Sequence, residues 1–234
     1  MRGRQALCLV VAALSASAGW SVAVPTASAE PCPDVEVVFA RGTGQWPGLG
    51  DVGQAFVDAV RSQAGGRTVG GYAVDYPASG DFADVVGFPR TVADGIRDEA
   101  FRVQFMSEAC PQTRLILGGY SQGAAVTGLT ASATTPASVP AELVPPPVSP
   151  EAATHVAAVV LFGKPAADFV PKYEVPVIAP GPLFADRTIE LCAPADSVCD
   201  GVDGVVTDPP NDAHTSYVAN GMVGEGAAFA ASKL

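Results

Sequence analysis

Short apolar runs alternate along this chain with segments of helical periodicity, and this alternation constrains the fold more than any other feature. The runs are rich in Val, Ile and Leu, as expected for strands of a sheet that is covered on both faces. They lie at residues 35–40, 69–76, 113–119, 156–163 and 188–192. Strands that alternate with helices form parallel sheets. The pattern therefore predicts a single-domain, three-layer α/β sandwich with a mainly parallel sheet of about five strands.

The segments between these runs supply the helices. Residues 88–109 repeat apolar side chains every three or four positions, beginning with Phe88, Val92 and Ile96, which predicts an amphipathic helix. We also predict a helix over 49–64, a helix of small residues after Ser121, and a mostly helical tail over 214–234. Residues 133–154 are rich in proline and indicate a surface loop, with a flap over a functional site as the alternative.

The first 29 residues have the composition of an export signal. Arg2 and Arg4 precede an apolar run, and small residues at Ala27 and Ala29 suit a cleavage site. We expect residues 1–29 to be removed as a signal peptide, leaving residues 30–234 as an extracellular or cell-envelope domain. The apolar run is shorter than a bilayer span, which disfavours an uncleaved anchor, so the mature protein is expected to have no integral membrane span.

The net charge of the chain restricts the classes of partner that it is expected to bind. The formal net charge is −11, whereas nucleic-acid binding requires a basic surface. We therefore expect no nucleic acid as a partner, and anionic membranes are disfavoured for the same reason.

Four cysteines remain after the predicted signal peptide: Cys32, Cys110, Cys192 and Cys199. An even number in an exported chain indicates two disulfides, for which three pairings exist. Cys192 and Cys199 are close in sequence and favour a local pair, which leaves Cys32 with Cys110. A zinc site is the alternative, although the spacing is not Cys-x-x-Cys and no pair of histidines lies nearby.

A serine flanked by glycines follows the third apolar run, in the sequence Gly119-Tyr120-Ser121-Gln122-Gly123. A Gly-x-Ser-x-Gly pattern between a strand and a helix predicts the sharp turn that exposes a nucleophilic serine at the carboxyl edge of a sheet. An ordinary tight turn, with the serine as a helix N-cap, is the alternative.

A serine nucleophile needs a base to accept its proton, and the chain contains two histidines. His155 precedes the fourth strand and would lie at the opposite edge of a parallel sheet, so we interpret it as a surface residue. His214 follows the fifth strand and is the candidate base. Asp196, inside the loop closed by the local cysteine pair, is the candidate acid, with Asp200 as the alternative.

The same chemistry needs hydrogen-bond donors for an oxyanion. The backbone N–H of Gln122 is one candidate, and Thr43, in the Arg41-Gly42-Thr43-Gly44 segment after the first strand, is the other. A plain glycine turn is the alternative for the second segment. Leu183 and Phe184, between the fourth and fifth strands, are candidates for lining an apolar acyl groove, with core packing as the alternative.

Four motifs taken together resemble the cutinase family of secreted serine esterases: FARGTG, GGYSQGAAV, CAPADSVC and AHTSY, in that order. The form is most similar to the cutinase-like proteins of mycobacteria and related actinobacteria. The resemblance spans essentially all of residues 30–234 and includes both disulfides. It implies an α/β-hydrolase fold in which Ser121 is the nucleophile, Asp196 the acid and His214 the base, with Thr43 and Gln122 in the oxyanion hole. Thr43 is a departure, because many fungal members have serine there.

The resemblance also implies the reaction. It indicates hydrolysis of short- and medium-chain acyl esters, cutin-like polyesters or lipids. We also expect a monomer that uses no metal ion and no other cofactor. An acetylxylan-type carbohydrate esterase is the alternative, because relatives of similar form include such enzymes. A non-catalytic secreted binding protein on the same scaffold is a further alternative.

Overall fold

The computed structural model describes residues 32–84, 86–133, 146–166, 178–200 and 210–234. Within these residues one sheet contains five strands, which are β1 (Val35–Ala40), β2 (Val69–Ala73), β3 (Arg114–Tyr120), β4 (Val156–Phe162) and β5 (Thr188–Leu191). Their order across the sheet is β2-β1-β3-β4-β5, and every neighbouring pair is parallel. The predicted parallel α/β architecture is confirmed.

Helices fill the connections between the strands. The first three are α1 (Gly50–Gln63) between β1 and β2, α2 (Gly87–Ala109) between β2 and β3, and α3 (Gln122–Thr130) directly after β3. A single turn, α4 (Pro150–Ala153), precedes β4, a 3-10 turn (Ala185–Arg187) precedes β5, and α5 (Met222–Ala231) follows β5. Within the tail predicted to be mostly helical, the helix therefore begins only at Met222.

Two apolar cores, one on each face of the sheet, produce the three layers. Val35, Val37 and Phe39 of β1 enter the core beneath α1 and α5, whereas Val38 and Ala40 enter the core beneath α2 and α3. All five side chains are fully buried. Because alternate residues are needed on both faces, the strand is a nearly continuous apolar run.

Glu36 interrupts that run and is buried on the same face as α2. Its carboxylate accepts two hydrogen bonds from the guanidinium of Arg102 on α2, at 2.8 Å and 2.5 Å. The Arg102 guanidinium also lies over the ring of Tyr72, 4.4 Å from its centroid. A charge in the sheet is therefore tolerated because it is paired in a fork geometry.

Two local predictions need correction. β2 ends at Ala73 rather than at residue 76, because the following chain bends to hydrogen-bond with Arg41, whose guanidinium donates to the carbonyl of Tyr76 at 2.5 Å. Within the predicted loop 133–154, α4 forms where Ser149 Oγ accepts from the N–H of Ala152 at 3.1 Å. Residues 134–145 of that loop and the predicted signal peptide lie outside the described residues.

Both predicted disulfides are formed. Cys32–Cys110 joins the segment before β1 to the end of α2, and Cys192–Cys199 closes a short loop after β5. The zinc alternative is wrong for these cysteines, because a disulfide sulfur is not the thiolate that zinc requires. Across the described ranges, no helix combines the length and the apolar character needed to cross a bilayer.

Candidate active site

The direction of the chain connections reverses between β1 and β3, at the centre of the sheet. The chain leaves β1 toward β2 at one side and leaves β3 toward β4 at the other, so the order reverses between these two central strands. Loops diverge at such a reversal and leave room for a ligand. Ala40 pairs with Gly119, so the segments that carry Thr43 and Ser121 leave the sheet side by side.

Ser121 occupies a strained turn between β3 and α3. Its φ is 55° and its ψ is −118°, a backbone conformation that residues with side chains rarely adopt. A Cβ at Gly119 would overlap the carbonyl group of Gly123, and a Cβ at Gly123 would overlap the carbonyl group of Ala40. Glycine is therefore needed at both flanking positions, and the turn holds the serine hydroxyl above the edge of the sheet.

Three predicted residues form one hydrogen-bonded chain. Ser121 Oγ lies 2.9 Å from Nε2 of His214, and Nδ1 of His214 lies 2.9 Å from each carboxylate oxygen of Asp196. Asp196 is 1% exposed and His214 2% exposed. With Nδ1–H donating to the carboxylate, Nε2 is left as the acceptor for the serine hydroxyl. This arrangement can remove the serine proton and hold it on the imidazole.

Asp196 is buried, and neighbouring groups of the protein donate hydrogen bonds to its carboxylate. Besides His214, Tyr217 donates its hydroxyl to Oδ2 at 2.6 Å, and Val198 donates its backbone N–H to Oδ1 at 2.8 Å. Burial alone would raise the pKa of Asp196, but these hydrogen bonds outweigh burial and hold the pKa below its ordinary value. The group is therefore a carboxylate near neutral pH and can stabilise an imidazolium.

Asn211 joins the loops that carry the acid and the base. Its Nδ2 donates to the carbonyl of Ala195 at 2.7 Å, and its Oδ1 accepts from the N–H groups of Ser197 (3.3 Å) and His214 (3.2 Å). The side chain therefore fixes both neighbours of Asp196 relative to the backbone of His214. No motif in the sequence distinguishes Asn211 from other loop residues, so it was not a candidate.

Two tyrosines absent from the predicted site complete the surroundings of His214. The ring of Tyr120 stacks on the imidazole with centroids 5.1 Å apart, and its hydroxyl donates to the backbone carbonyl of His214 at 2.7 Å. The ring of Tyr217 meets the imidazole edge-on. Tyr120 precedes the serine and Tyr217 follows the histidine by three residues, so proximity to the motifs was an available signal.

The two candidate oxyanion donors lie on segments tied to the chain after β2. Gly44, next to Thr43, donates its N–H to the carbonyl of Ala78 at 2.8 Å, and the side-chain amide of Gln122 donates to the carbonyl of Ser79 at 2.9 Å. Gln122 is the first residue of α3, where a backbone N–H has no acceptor within its own helix. Among the described residues that N–H has no acceptor, so it is available to a ligand.

The other sequence candidates lie elsewhere. His155 is half-buried before β4, at the amino edge of the sheet, as predicted. Asp200 accepts from the N–H of Ala195 at 2.6 Å, and Asp196 takes the place beside the imidazole. Cys192, Asp196 and Cys199 approach one another closely enough to share a metal ion, but both cysteines are in the disulfide.

The predicted acyl-groove residues are remote from the serine. Gly181 donates its N–H to the carbonyl of Ala131, just beyond the end of α3, at 2.8 Å. Since α3 begins at the serine turn and runs away from it, Phe184 lies toward the opposite edge of the sheet, where it is buried in the core. Core packing, the alternative interpretation of Phe184, is correct.

The chain is similar to known proteins over most of its length. A family model described as Cutinase matches residues 31–234. The probable carboxylesterase Culp7 of Mycobacterium tuberculosis (strain ATCC 25618 / H37Rv) is 54% identical over 173 residues, which cover 74% of this chain and 89% of that protein.

Two solved structures share the fold. A Trichoderma reesei cutinase in complex with a C11Y4 phosphonate inhibitor has a TM-score of 0.62 and 30% identity, covering 87% of this chain and 77% of that one. The catalytic core domain of acetyl xylan esterase from Trichoderma reesei has a TM-score of 0.66 and 24% identity, covering 87% of this chain and 100% of that one. At that identity the second likeness concerns the fold alone.

Proposed function

The chain belongs to the cutinase family and is a carboxylic ester hydrolase, and from this premise we propose that it is an exported serine esterase that works through an acyl-enzyme on Ser121. The observation that carries the proposal is the hydrogen-bonded chain from Ser121 through His214 to Asp196. These residues come from three separate loops, and a merely structural role for the serine gives no reason for them to converge.

The proposed reaction begins when Ser121 Oγ attacks the carbonyl carbon of the ester while Nε2 of His214 accepts the hydroxyl proton. Asp196 stabilises the resulting imidazolium, which then protonates the departing alcohol. A water molecule, deprotonated by His214, attacks the acyl-enzyme carbonyl and releases the carboxylic acid. Ser121 recovers its proton in the last step, so the chain needs no co-reactant other than water.

Gln122 and Thr43 are proposed to stabilise the oxyanion in both tetrahedral intermediates. The backbone N–H of Gln122 and the N–H and hydroxyl of Thr43 would donate to the developing negative charge. Loss of one such donor typically raises the barrier by about 3 kcal/mol.

The substrates are proposed to be apolar esters, such as short- and medium-chain acyl esters, lipids or cutin-like polyesters. Trp46, on the loop after β1, is 89% exposed, and Val218, four residues after His214, is 50% exposed. Their position in sequence, on the segments that follow β1 and His214, is the reason for proposing that they contact an apolar substrate. We propose that the mature protein, residues 30–234, acts as a monomer outside the cell or in its envelope, and that it does not bind nucleic acid.

The test compares the wild type with Ser121→Ala in hydrolysis of p-nitrophenyl butyrate and in labelling by a fluorophosphonate probe. We expect turnover and labelling by the wild type, and loss of both in the variant. Equal turnover by the two proteins would refute the proposed nucleophile. Absence of labelling and of turnover in the folded wild type would favour the non-catalytic binding protein.

The competing proposal is that the substrates are acetylated carbohydrates, as for an acetylxylan-type esterase. It is supported only by the shared fold and by the ability of one serine turn to serve several classes of ester. Rates on acetylated xylan and on a longer-chain lipid ester separate the two. Faster release of acetate from the carbohydrate would favour the competing class.

A further inference from the structure

Tyr217 contacts the acid and the base of the proposed site at once. Its side chain is fully buried, and its hydroxyl lies 2.6 Å from Oδ2 of Asp196 and 3.1 Å from the backbone N–H of Ala193. Because the backbone N–H can only donate, the tyrosine hydroxyl accepts from Ala193. Its one proton goes to the carboxylate rather than to the disulfide sulfur of Cys199, a weak acceptor 3.3 Å away.

The hydroxyl keeps that proton over the working pH range. Burial, together with the hydrogen bond to the Asp196 carboxylate, raises the pKa of Tyr217 well above its ordinary value. A protonated phenol beside a carboxylate is a strong, charge-assisted donor.

The ring of Tyr217 fixes where this donor points. It lies edge-on to the imidazole of His214, with centroids 6.4 Å apart and planes at 89°. It also packs edge-on against Phe162 at the end of β4, with centroids 6.1 Å apart. The packed ring therefore holds the hydroxyl in a fixed position relative to Oδ2.

We propose that Tyr217 is a positioning residue for the reaction proposed above. Its hydroxyl holds the Asp196 carboxylate in the orientation that receives Nδ1–H of His214, and it draws off part of the carboxylate charge. The negative charge that faces Nδ1–H of His214 is thereby reduced. The inference rests on the proposed esterase function.

Electrostatics predicts the direction in which the pH profile of kcat/KM moves when the Tyr217 hydroxyl is removed. Without this donor the carboxylate concentrates more negative charge toward Nδ1–H and stabilises the imidazolium more strongly. The acidic limb of the kcat/KM profile is therefore expected to move to higher pH. The carboxylate also loses an anchor, so kcat on the pH-independent plateau falls.

Other ionisable groups near the acid are unaltered by this change. Tyr120 donates to the backbone carbonyl of His214, and Asp200 accepts from the backbone N–H of Ala195. At the ends of β4 and β5, Lys164 and Glu190 form an ion pair at 2.9 Å. A shift of the limb in a Tyr217 variant is therefore assigned to the lost hydroxyl.

The experiment measures the pH profile of kcat/KM for Tyr217→Phe with p-nitrophenyl butyrate, following product at a wavelength independent of its ionisation. We expect the acidic limb to rise by about 0.5 pH unit or more and plateau kcat to fall about 3- to 30-fold. The matched control is Tyr120→Phe, which also removes one hydroxyl from a buried ring but leaves the carboxylate untouched. Its acidic limb is expected to coincide with that of the wild type.

A second measurement keeps the inference testable if Tyr217→Phe does not fold. Incorporating 3-fluorotyrosine at position 217 alone makes this hydroxyl a stronger donor without removing any packing, and should move the limb to lower pH. An unmoved limb in a folded, active Tyr217→Phe protein, or an equal movement in Tyr120→Phe, would overturn the inference. That outcome leaves the loss of activity in Ser121→Ala intact, so the two proposals fail separately.

Discussion

Glu99 is an ionisable group buried in the core between α2 and α3, and it allows a quantitative prediction. The side chain is 0% exposed. Thr127 Oγ1 on α3 donates to its Oε1 at 2.9 Å, while Oε2 has no hydrogen-bond partner in the described part of the chain. Burial raises the pKa of Glu99 from 4.5 to about 8, although nearby threonine hydroxyls act in the opposite direction.

This shift makes stability depend on pH. In the unfolded chain the carboxyl group ionises near pH 4.5, whereas in the folded protein it keeps its proton until about pH 8. The folded state thus binds one proton more than the unfolded state within that window, and stability falls as pH rises through it. Ionisation of Glu99 in the unfolded chain lowers the free energy of unfolding by about 1 kcal/mol at pH 5 and about 3 kcal/mol at pH 7.

Replacing Glu99 with glutamine removes the ionisation while keeping the shape and the acceptor for Thr127. We expect Glu99→Gln to raise the free energy of unfolding by about 3 kcal/mol at pH 7, or the melting temperature by roughly 5 to 10 °C. The gain should shrink to about 1 kcal/mol at pH 5. Urea unfolding of both proteins at pH 5, 6, 7 and 8, with the disulfides intact, measures the difference.

The matched control is Glu108→Gln on the exposed side of the same helix, where the same chemical change should alter stability by less than about 0.5 kcal/mol at every pH. A Glu99→Gln effect that is constant between pH 5 and pH 8, or that is destabilising at pH 7, would refute the reasoning.

Two further predictions concern side chains that hold the layers and loops together. Arg102→Ala leaves the buried Glu36 carboxylate without its partner and should lower the free energy of unfolding, measured in urea, by about 3 to 5 kcal/mol. Adding Glu36→Leu to this variant should recover most of the loss. No recovery would contradict the explanation by an unpaired buried charge. Asn211→Ala removes the hydrogen bonds that join the acid and base loops and should reduce kcat about 10- to 100-fold. An unchanged kcat would show that the loops need no such link.

The sheet and the serine turn were predictable because their causes are local. A strand covered on both faces must be apolar throughout, and the turn at Ser121 requires glycines that are visible in the sequence. The pairing of Asp196 with His214 followed from strand order, since the carboxyl ends of parallel strands share one edge. The sequence Ser149-Pro150-Glu151 is typical of a helix start, with proline in the first turn, and could have predicted α4. The high proline content of residues 133–154 instead favoured a loop.

The remaining features depend on contacts between distant segments. Phe184 looks like a groove residue in sequence, because only the path of residues 178–184 along α3 shows that it is core. Tyr217 and Asn211 act on Asp196 across 21 and 15 residues, separations at which no periodicity operates. Glu99 resembles any helical glutamate, and its burial is visible only once α3 packs against it.

The Cys32–Cys110 cross-link determines where the segment before β1 lies. Cleavage after Ala29 would leave two residues ahead of Cys32, which is anchored to the end of α2. Since β1 starts at Val35 and runs toward the serine, Cys32 lies toward the edge of the sheet opposite the proposed catalytic residues. If the protein were cleaved there and attached to beads through its new amino terminus, the edge of the sheet that carries Ser121 would consequently face outward.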